Sequence, residues 1–199
     1  MIRKLPLIPT IVVAAAAAVM IALGVWQLGR AQEKEALLER YRSAQNLPPI
    51  SFPTGPIHEK HLPLFRHSTG LCLEPVAKRS TAGRNRAGEP GYSQIIDCRT
   101  GAEGPGMSVE LGWSKNPNAV FNWPGGLVSG VIAPDSRTRM RLVAASSPPG
   151  LEPNAPPSIE QIPNNHRSYA VQWFLFALIA AAIYVLAARK RFKPESPAK

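Results

Sequence analysis

Charged residues are scarce in this sequence and unevenly distributed. Only 18% of its 199 residues are charged, with 13 Asp and Glu against 23 Lys and Arg. No charged residue or histidine occurs from Leu5 to Gly29 or from Ser168 to Ala188. As helices these segments would be roughly 37 and 31 Å long, enough to cross a hydrocarbon core of about 30 Å. The pattern excludes a soluble cytosolic protein and predicts a membrane protein with two transmembrane helices.

Catalytic and nucleotide-binding signatures are also absent. The sequence contains no GxSxG, HExxH, DxD or glycine-rich phosphate-loop pattern, and its only aspartates are Asp97 and Asp135. These patterns place a nucleophile, a metal or a phosphate at fixed spacing. Nothing in the sequence therefore argues for an enzyme.

The basic residues at the two chain ends predict the orientation of the protein in the membrane. Arg3 and Lys4 precede the first apolar segment, and five Lys or Arg follow the second. Short flanks of this kind stay in the cytoplasm. We expect cytoplasmic ends at 1–4 and 189–199, spans at 5–29 and 168–188, and a periplasmic domain at 30–167 in a bacterial inner membrane. Basic flanks of this kind position membrane helices and do not indicate nucleic-acid binding.

The first apolar segment has the features of a retained anchor. It is longer than the h-region of about 7–15 residues in a cleaved signal peptide, and it ends in Trp26-Gln27 where a cleavage site has small residues. Good helix formers follow it, so we expect the helix to continue to about Arg42 and to stop before Pro48-Pro49.

The central segment predicts a small β-rich domain, giving an α+β membrane protein. Short apolar or alternating runs are separated by Gly, Pro and Asn, which favours an antiparallel sheet or barrel. The candidate strands are Leu71–Ala77, Tyr92–Cys98, Met107–Ser114, Leu127–Ala133 and Thr138–Ala144. Six prolines between Ser146 and Pro163 predict an extended return path to the membrane.

Three groups of residues in this domain leave alternatives open. Arg137, Arg139 and Arg141 alternate with period two, as on a solvated strand face or an anion-binding face. Cys72 and Cys98 are the only cysteines and would form a structural disulfide or two buried thiols. His58, His61 and His67 would form a metal site or lie in loops exposed to solvent.

Two clusters of polar and aromatic residues meet at the outer membrane interface in this topology. The first helix contributes Trp26, Gln27 and Arg30 as it leaves the membrane. The second contributes His166, Tyr169, Gln172 and Trp173 as it enters. At the spacing i, i+3, i+4 and i+7, His166, Tyr169, Ala170 and Trp173 share a helix face. Such an imidazole could ligate haem iron or be a hydrated interfacial residue. Gln27 and Gln172 each predict contact with a partner helix.

These clusters also resemble the two terminal motifs of the surfeit locus protein 1 family. The first runs from Leu23 to Arg30 (LGVWQLGR), and the second from Pro163 to Phe174 (PNNHRSYAVQWF). Val109–Trp113 is similar to the family's glycine-tryptophan strand. Glu33 and Arg167 stand where the family pattern has an aromatic residue and a leucine. Arg167 would contact a haem propionate or extend its guanidinium towards the interface.

The resemblance implies a non-catalytic assembly factor for haem-copper cytochrome c oxidase. Such a factor receives haem a transiently and helps to insert it into the catalytic subunit, and haem a synthase is a possible further partner. His166 would ligate the iron, and Arg30 would be available to a propionate. Trp26, Gln27, Tyr169 and Trp173 would complete the pocket. The alternatives are a cofactor-free scaffold for oxidase subunits and an interfacial enzyme with His166 as general base.

Overall fold

A computed structural model describes residues 6–102 and 105–192 of the chain. The chain divides into two compact units. One unit combines the chain up to Leu37 with the chain from Pro163 onwards, and the other spans Leu38–Ile162. Of the two ends predicted to be cytoplasmic, residues 1–4 and 193–199 lie outside the described residues, whereas residues 189–192 are described.

Two long apolar helices dominate the first unit. Helix α1 spans Leu7–Gln45 and helix α2 spans His166–Phe192. The predicted continuation of the first helix to about Arg42 is confirmed, with one further turn before Pro48-Pro49. Each helix contains a long apolar stretch in which most side chains are exposed. By length and composition both helices are able to cross a membrane.

The two helices run antiparallel with a stripe of less exposed residues on each. The stripes follow the alternating spacing of four and three residues that antiparallel helix pairs use. On α1 they are Val13, Ala17, Met20, Gly24, Gln27 and Ala31, and on α2 they are His166, Ala170, Trp173, Ala177, Ala180 and Tyr184. A hydrogen bond joins the hydroxyls of Thr10 and Tyr184 near one end of the pair.

Gly24 allows close approach at the middle of this pair. A Cβ atom on Gly24 would lie 2.6 Å from Cε1 of Phe174, so a larger residue would displace the ring. Small residues bring membrane helices together in this way and let polar side chains reach across. The glycine in the first terminal motif therefore serves the packing of α2 against α1.

The second unit is built on a mixed seven-stranded sheet with the order β1-β2-β6-β7-β5-β4-β3. The strands are β1 Ile50–Ser51, β2 His67–Cys72, β3 Glu74–Arg84, β4 Pro90–Arg99, β5 Pro105–Ser114, β6 Gly126–Asp135 and β7 Arg139–Ala144. Pairs β1–β2 and β5–β7 are parallel, so the expectation of a purely antiparallel sheet is wrong. For the β5–β7 pair the cause is the segment between β5 and β6, which lets β7 of the β6–β7 hairpin lie beside β5.

The predicted strand Leu71–Ala77 is also wrong, because it crosses a bend. Strand β2 ends at Cys72, β3 begins at Glu74, and these two strands pair with different neighbours at opposite ends of the sheet order. At the bend, the amide of Leu73 donates to the carbonyl of Arg99. The other four predicted strands are present within β4, β5, β6 and β7, with boundaries that differ by a few residues.

A disulfide crosses this part of the sheet. Cys72 of β2 is bonded to Cys98 of β4, with a Cα–Cα distance of 5.2 Å, so the disulfide alternative is confirmed. Both cysteines are buried in the core. The core also contains these large apolar residues: Phe52, Phe65, Met107, Val109, Leu111, Val128, Ile132 and Leu142. The bond therefore ties two strands that are distant in the sheet order through the centre of the core.

The return path after β7 is extended, as predicted. Its regular structure consists of isolated bridges at Glu152 and Asn154 and a 3-10 turn at Ile159–Gln161. The backbone of Glu152 exchanges hydrogen bonds of 2.7 and 2.9 Å with Trp113. These bridges attach the return path to β5 and to the end of β3.

Candidate functional site

His166 is the first residue of α2 and faces α1. The chain enters the helix through Pro163-Asn164-Asn165, and the amide of Tyr169 donates to the carbonyl of Asn165 in the first turn. His166 Nδ1 lies 2.8 Å from Oε1 of Gln27, and both side chains are partly buried. The predicted contact of Gln27 with a partner helix is thus confirmed. Its partner is His166, the predicted metal ligand.

The bond to Gln27 determines which imidazole nitrogen is available. An amide oxygen carries no hydrogen and can only accept, so the Nδ1 atom of His166 is the donor. In the neutral ring this leaves the lone pair on Nε2. Histidine ligands of metals are commonly held in this way, with one nitrogen donating to a neighbour and the other facing the metal. The pair fits a haem ligand that would bind through Nε2.

Arg167 makes a further polar connection between the helices. Its Nε lies 2.9 Å from Oε1 of Glu35, and its Nη2 donates to Oε2 of the same carboxylate at 3.0 Å. This is a bidentate pairing of guanidinium and carboxylate. The Arg167 side chain is 72% exposed and that of Glu35 is 41% exposed. Sequence reasoning missed Glu35, although an acidic residue two turns beyond Gln27 was a signal for it.

The other predicted site residues lie on more exposed parts of the helices. Arg30 forms an ion pair with Glu33 of the same helix, and both side chains are exposed. Trp26 is 56% exposed and Tyr169 is 50% exposed. Trp173 is partly buried and packs edge to face on Phe176, with ring centroids 6.1 Å apart.

The structure therefore brings together only part of the predicted set. Within the described residues, Gln27 is the one member with a hydrogen bond to His166, and no ring contact joins His166 to the predicted aromatic residues. Ala170 is buried, whereas Tyr169 is half-exposed. Gln172 is exposed, and within the described residues it has no side-chain hydrogen bond to α1, so its contact with a partner helix stays a prediction. It lies off the buried stripe of α2, one residue before Trp173.

The predicted alternation of Arg137, Arg139 and Arg141 is interrupted. Arg137 lies in the turn before β7, and Arg139 adopts the left-handed conformation with φ of 67°. Arg141 forms ion pairs with the buried carboxylates of Glu110 and Asp135. These arginines do not form one strand face, because the left-handed residue rotates the chain where the strand begins.

Asp135 is the centre of a buried ionic network. Its carboxylate is 2.9 Å from Nη2 of Arg79, and it accepts hydrogen bonds from the amide and hydroxyl of Thr138. Burial alone would raise the pKa of Asp135, but the Thr138 hydrogen bonds and the Arg79 charge outweigh it and lower the pKa to about 2. The network joins β3, β6 and β7, which makes it a feature of domain stability.

The histidine run does not form a metal site in the structure. The Nδ1 atom of His58 accepts a hydrogen bond from the amide of Lys60, which caps the 3-10 turn Glu59–His61. His67 begins β2. Across residues 6–102 and 105–192, no three His, Cys, Asp or Glu side chains are grouped to hold a metal ion.

Comparison with known proteins confirms the resemblance to the surfeit locus protein 1 (SURF1) family that the two terminal motifs indicate. The model of the SURF1 family matches residues 14–178, which include most of α1, the entire β unit and the first half of α2. No individual curated protein matches the chain significantly. The match includes both members of the His166–Gln27 pair. The chain therefore belongs to the SURF1 family, whose members are linked to the assembly of cytochrome oxidase and are assembly factors rather than enzymes.

Proposed function

We propose that this protein is a membrane-anchored factor that binds haem a and helps to insert it into the catalytic subunit of haem-copper cytochrome c oxidase. The observation that carries the proposal is the 2.8 Å contact between His166 and Gln27. It holds an imidazole at the start of an apolar helix with its second nitrogen free to bind iron. Family membership supplies the oxidase context.

The predicted set of side chains matches the chemistry of a flat, apolar macrocycle with acidic groups. His166 would bind the iron through Nε2, and Gln27 would hold the ring in its tautomer. Trp26, Tyr169 and Trp173 would offer aromatic surface, and Arg30 would neutralise a carboxylate. When bound, the haem would supply the iron that the imidazole ligates. The side chains of the two helices would bind and orient it.

The proposal includes an orientation for the chain. The spans at 5–29 and 168–188 would cross a bacterial inner membrane, with 1–4 and 189–199 in the cytoplasm and 30–167 in the periplasm. The basic ends support this orientation. His166 and Gln27 would then lie at the outer membrane interface, beside the lipid bilayer. At that level the catalytic subunit and haem a synthase would meet the protein.

A visible absorption spectrum tests the proposal directly. The full chain is purified in detergent from cells that make haem a, beside His166→Ala and Gln172→Ala. Gln172 is a matched control because it is an exposed polar residue on the same helix. We expect a haem a spectrum in the parent protein and in Gln172→Ala, and its loss or shift in His166→Ala.

Two other functions correspond to distinct results. A cofactor-free scaffold predicts no haem in any preparation, while cells without the protein still lose oxidase activity. An interfacial enzyme predicts turnover that His166→Ala abolishes. Either result would overturn haem delivery.

A further inference from the structure

The ion pair between Arg167 and Glu35 is the most specific contact near His166. Both guanidinium nitrogens that face the carboxylate bond to it, at 2.9 and 3.0 Å, in the planar geometry that arginine prefers for carboxylates. Arg167 follows His166 directly in the sequence, so their Cα atoms are about 3.8 Å apart. A guanidinium and an imidazole thus both belong to the first turn of α2, with their side chains about 100° apart around its axis.

The exposure of the pair leaves the guanidinium of Arg167 accessible to another carboxylate. The Arg167 side chain is 72% exposed and that of Glu35 is 41% exposed. Ion pairs with this exposure contribute little to stability. A carboxylate from another molecule that bound nearby would therefore compete with Glu35 at little energetic cost. The partial positive charge of a helix N-terminus favours an anion at the same place.

Arg30 differs from Arg167 in how its carboxylate is supplied. Its partner Glu33 is one turn away on the same helix, so α1 alone maintains that pair. The Arg167 pair instead requires a carboxylate from the opposite helix. Of the two arginines, Arg167 is the one whose partner reaches it across the space between the helices.

We propose that Arg167 is a carboxylate-binding residue for the ligand of His166, and that Glu35 is the internal carboxylate which the ligand replaces. The inference rests on the proposed function in that the ligand is a metal macrocycle bearing carboxylates. The exchange conserves charge, because one ion pair breaks as another forms. The released Glu35 carboxylate enters solvent.

The opposite roles of the two residues give a test that a purely structural pair would fail. The full-length protein in detergent is titrated with iron protoporphyrin IX, which has two free carboxylates, and with its dimethyl ester, which has none. The variants are Glu35→Gln and Arg167→Gln. Glu39→Gln is the matched control, because Glu39 forms an exposed pair with Arg42 farther along α1. Affinity is read from the Soret band as a ratio to the parent protein for each ligand.

We expect Glu35→Gln to tighten binding of the diacid about threefold to tenfold and Arg167→Gln to weaken it by a similar factor. Neither variant should change the affinity ratio for the dimethyl ester. If the pair only fixes the register of the helices, both variants will shift both ligands in the same direction. That result, or equal behaviour of all variants, overturns the inference.

The His166→Ala variant separates this inference from the proposed function. If it abolishes iron binding while the Glu35 and Arg167 variants behave like the parent protein, the carboxylate site is wrong and the iron ligand stands. If it leaves iron binding intact while the diacid and ester still differ between Glu35→Gln and Arg167→Gln, the iron ligand is wrong and the carboxylate site stands.

Discussion

At the scale of single residues, we expect the substitution of Gln27 to have a large effect on the affinity for iron. Its one hydrogen bond to His166 orients a ring that would otherwise rotate about χ2. Removing such a partner of a ligating histidine typically reduces metal affinity by 10–100-fold. In the proposed haem site, Gln27 would be a positioning residue, whose effect on the iron passes through the imidazole.

We therefore expect Gln27→Ala to weaken binding of iron protoporphyrin IX roughly 10-fold or more. Because His166 remains, iron still binds and the Soret maximum and bandwidth change, whereas His166→Ala removes the ligand altogether. The measurement is a spectral titration of the full chain, with Gln172→Ala as the exposed control. Equal affinities for Gln27→Ala and the control would rule out the orienting role.

At the scale of secondary structure elements, we expect the Asp135 network to make the stability of the β unit sensitive to acid. Arg79 lies on β3, and Asp135 ends β6 beside the turn that leads to β7. The side chain of Asp135 is 2% exposed, so its charge is compensated by these partners and hardly by water. Breaking a buried pair leaves an uncompensated charge and is strongly destabilising.

The pKa of Asp135 predicts where stability is lost. Its folded value of about 2 lies below the ordinary 3.8, so the carboxylate stabilises the fold above about pH 4. That contribution, about 2 kcal/mol, falls as the pH drops from about 4 and is gone below about 2. We expect Asp135→Asn to remove this acid dependence and to lower the free energy of unfolding at pH 7 by about 3 kcal/mol.

Unfolding followed by circular dichroism between pH 2 and 7 measures both effects. Glu74→Gln is the control, because the Glu74–Arg99 pair joins neighbouring strands but is exposed on both sides. Exposed pairs contribute roughly 0–1 kcal/mol. An acid profile in Asp135→Asn that matches the parent protein would show that other carboxylates set the acid limit.

The elements also show what sequence reasoning can reach. The helices follow from charge-free runs and good helix formers, and both were predicted. Strands β4 to β7 follow from apolar runs. The β2–β3 bend was missed because the apolar residues Leu71, Leu73 and Val76 continue through it, although the backbone changes partners at Leu73. The left-handed Arg139 was missed because glycine or asparagine normally signals such a position.

Sequence reasoning identified His166 and Gln27 of the candidate site, but not the pairing of Arg167 with Glu35. His166 and Gln27 were found because each is a polar residue at the edge of an apolar segment. Glu35 and Arg167 pair across 132 positions of the chain. Such a contact depends on the register of two helices, which in turn depends on small residues such as Gly24. Local pattern alone does not specify that register.

At the scale of the whole molecule, two independent features support the proposed location of the β domain outside the cytoplasm. The ends of the chain are basic, which favours a cytoplasmic location for both of them. The domain between the helices contains a buried disulfide between Cys72 and Cys98. Disulfides persist in the bacterial periplasm and are rare in the cytosol. Charge and redox chemistry therefore both support the proposed orientation.

This agreement predicts the oxidation state of the cysteines in cells. We expect both thiols to be blocked when cells are quenched with acid and alkylated with a maleimide reagent that adds mass, and to become reactive after reduction. In cells that lack the periplasmic system for disulfide formation, the same thiols should be alkylated without reduction. Loss of the bond should also lower the free energy of unfolding by about 3 kcal/mol, since it closes a loop of 26 residues. Fully reduced thiols in normal cells would place the domain in the cytoplasm and reverse the proposed orientation of both helices.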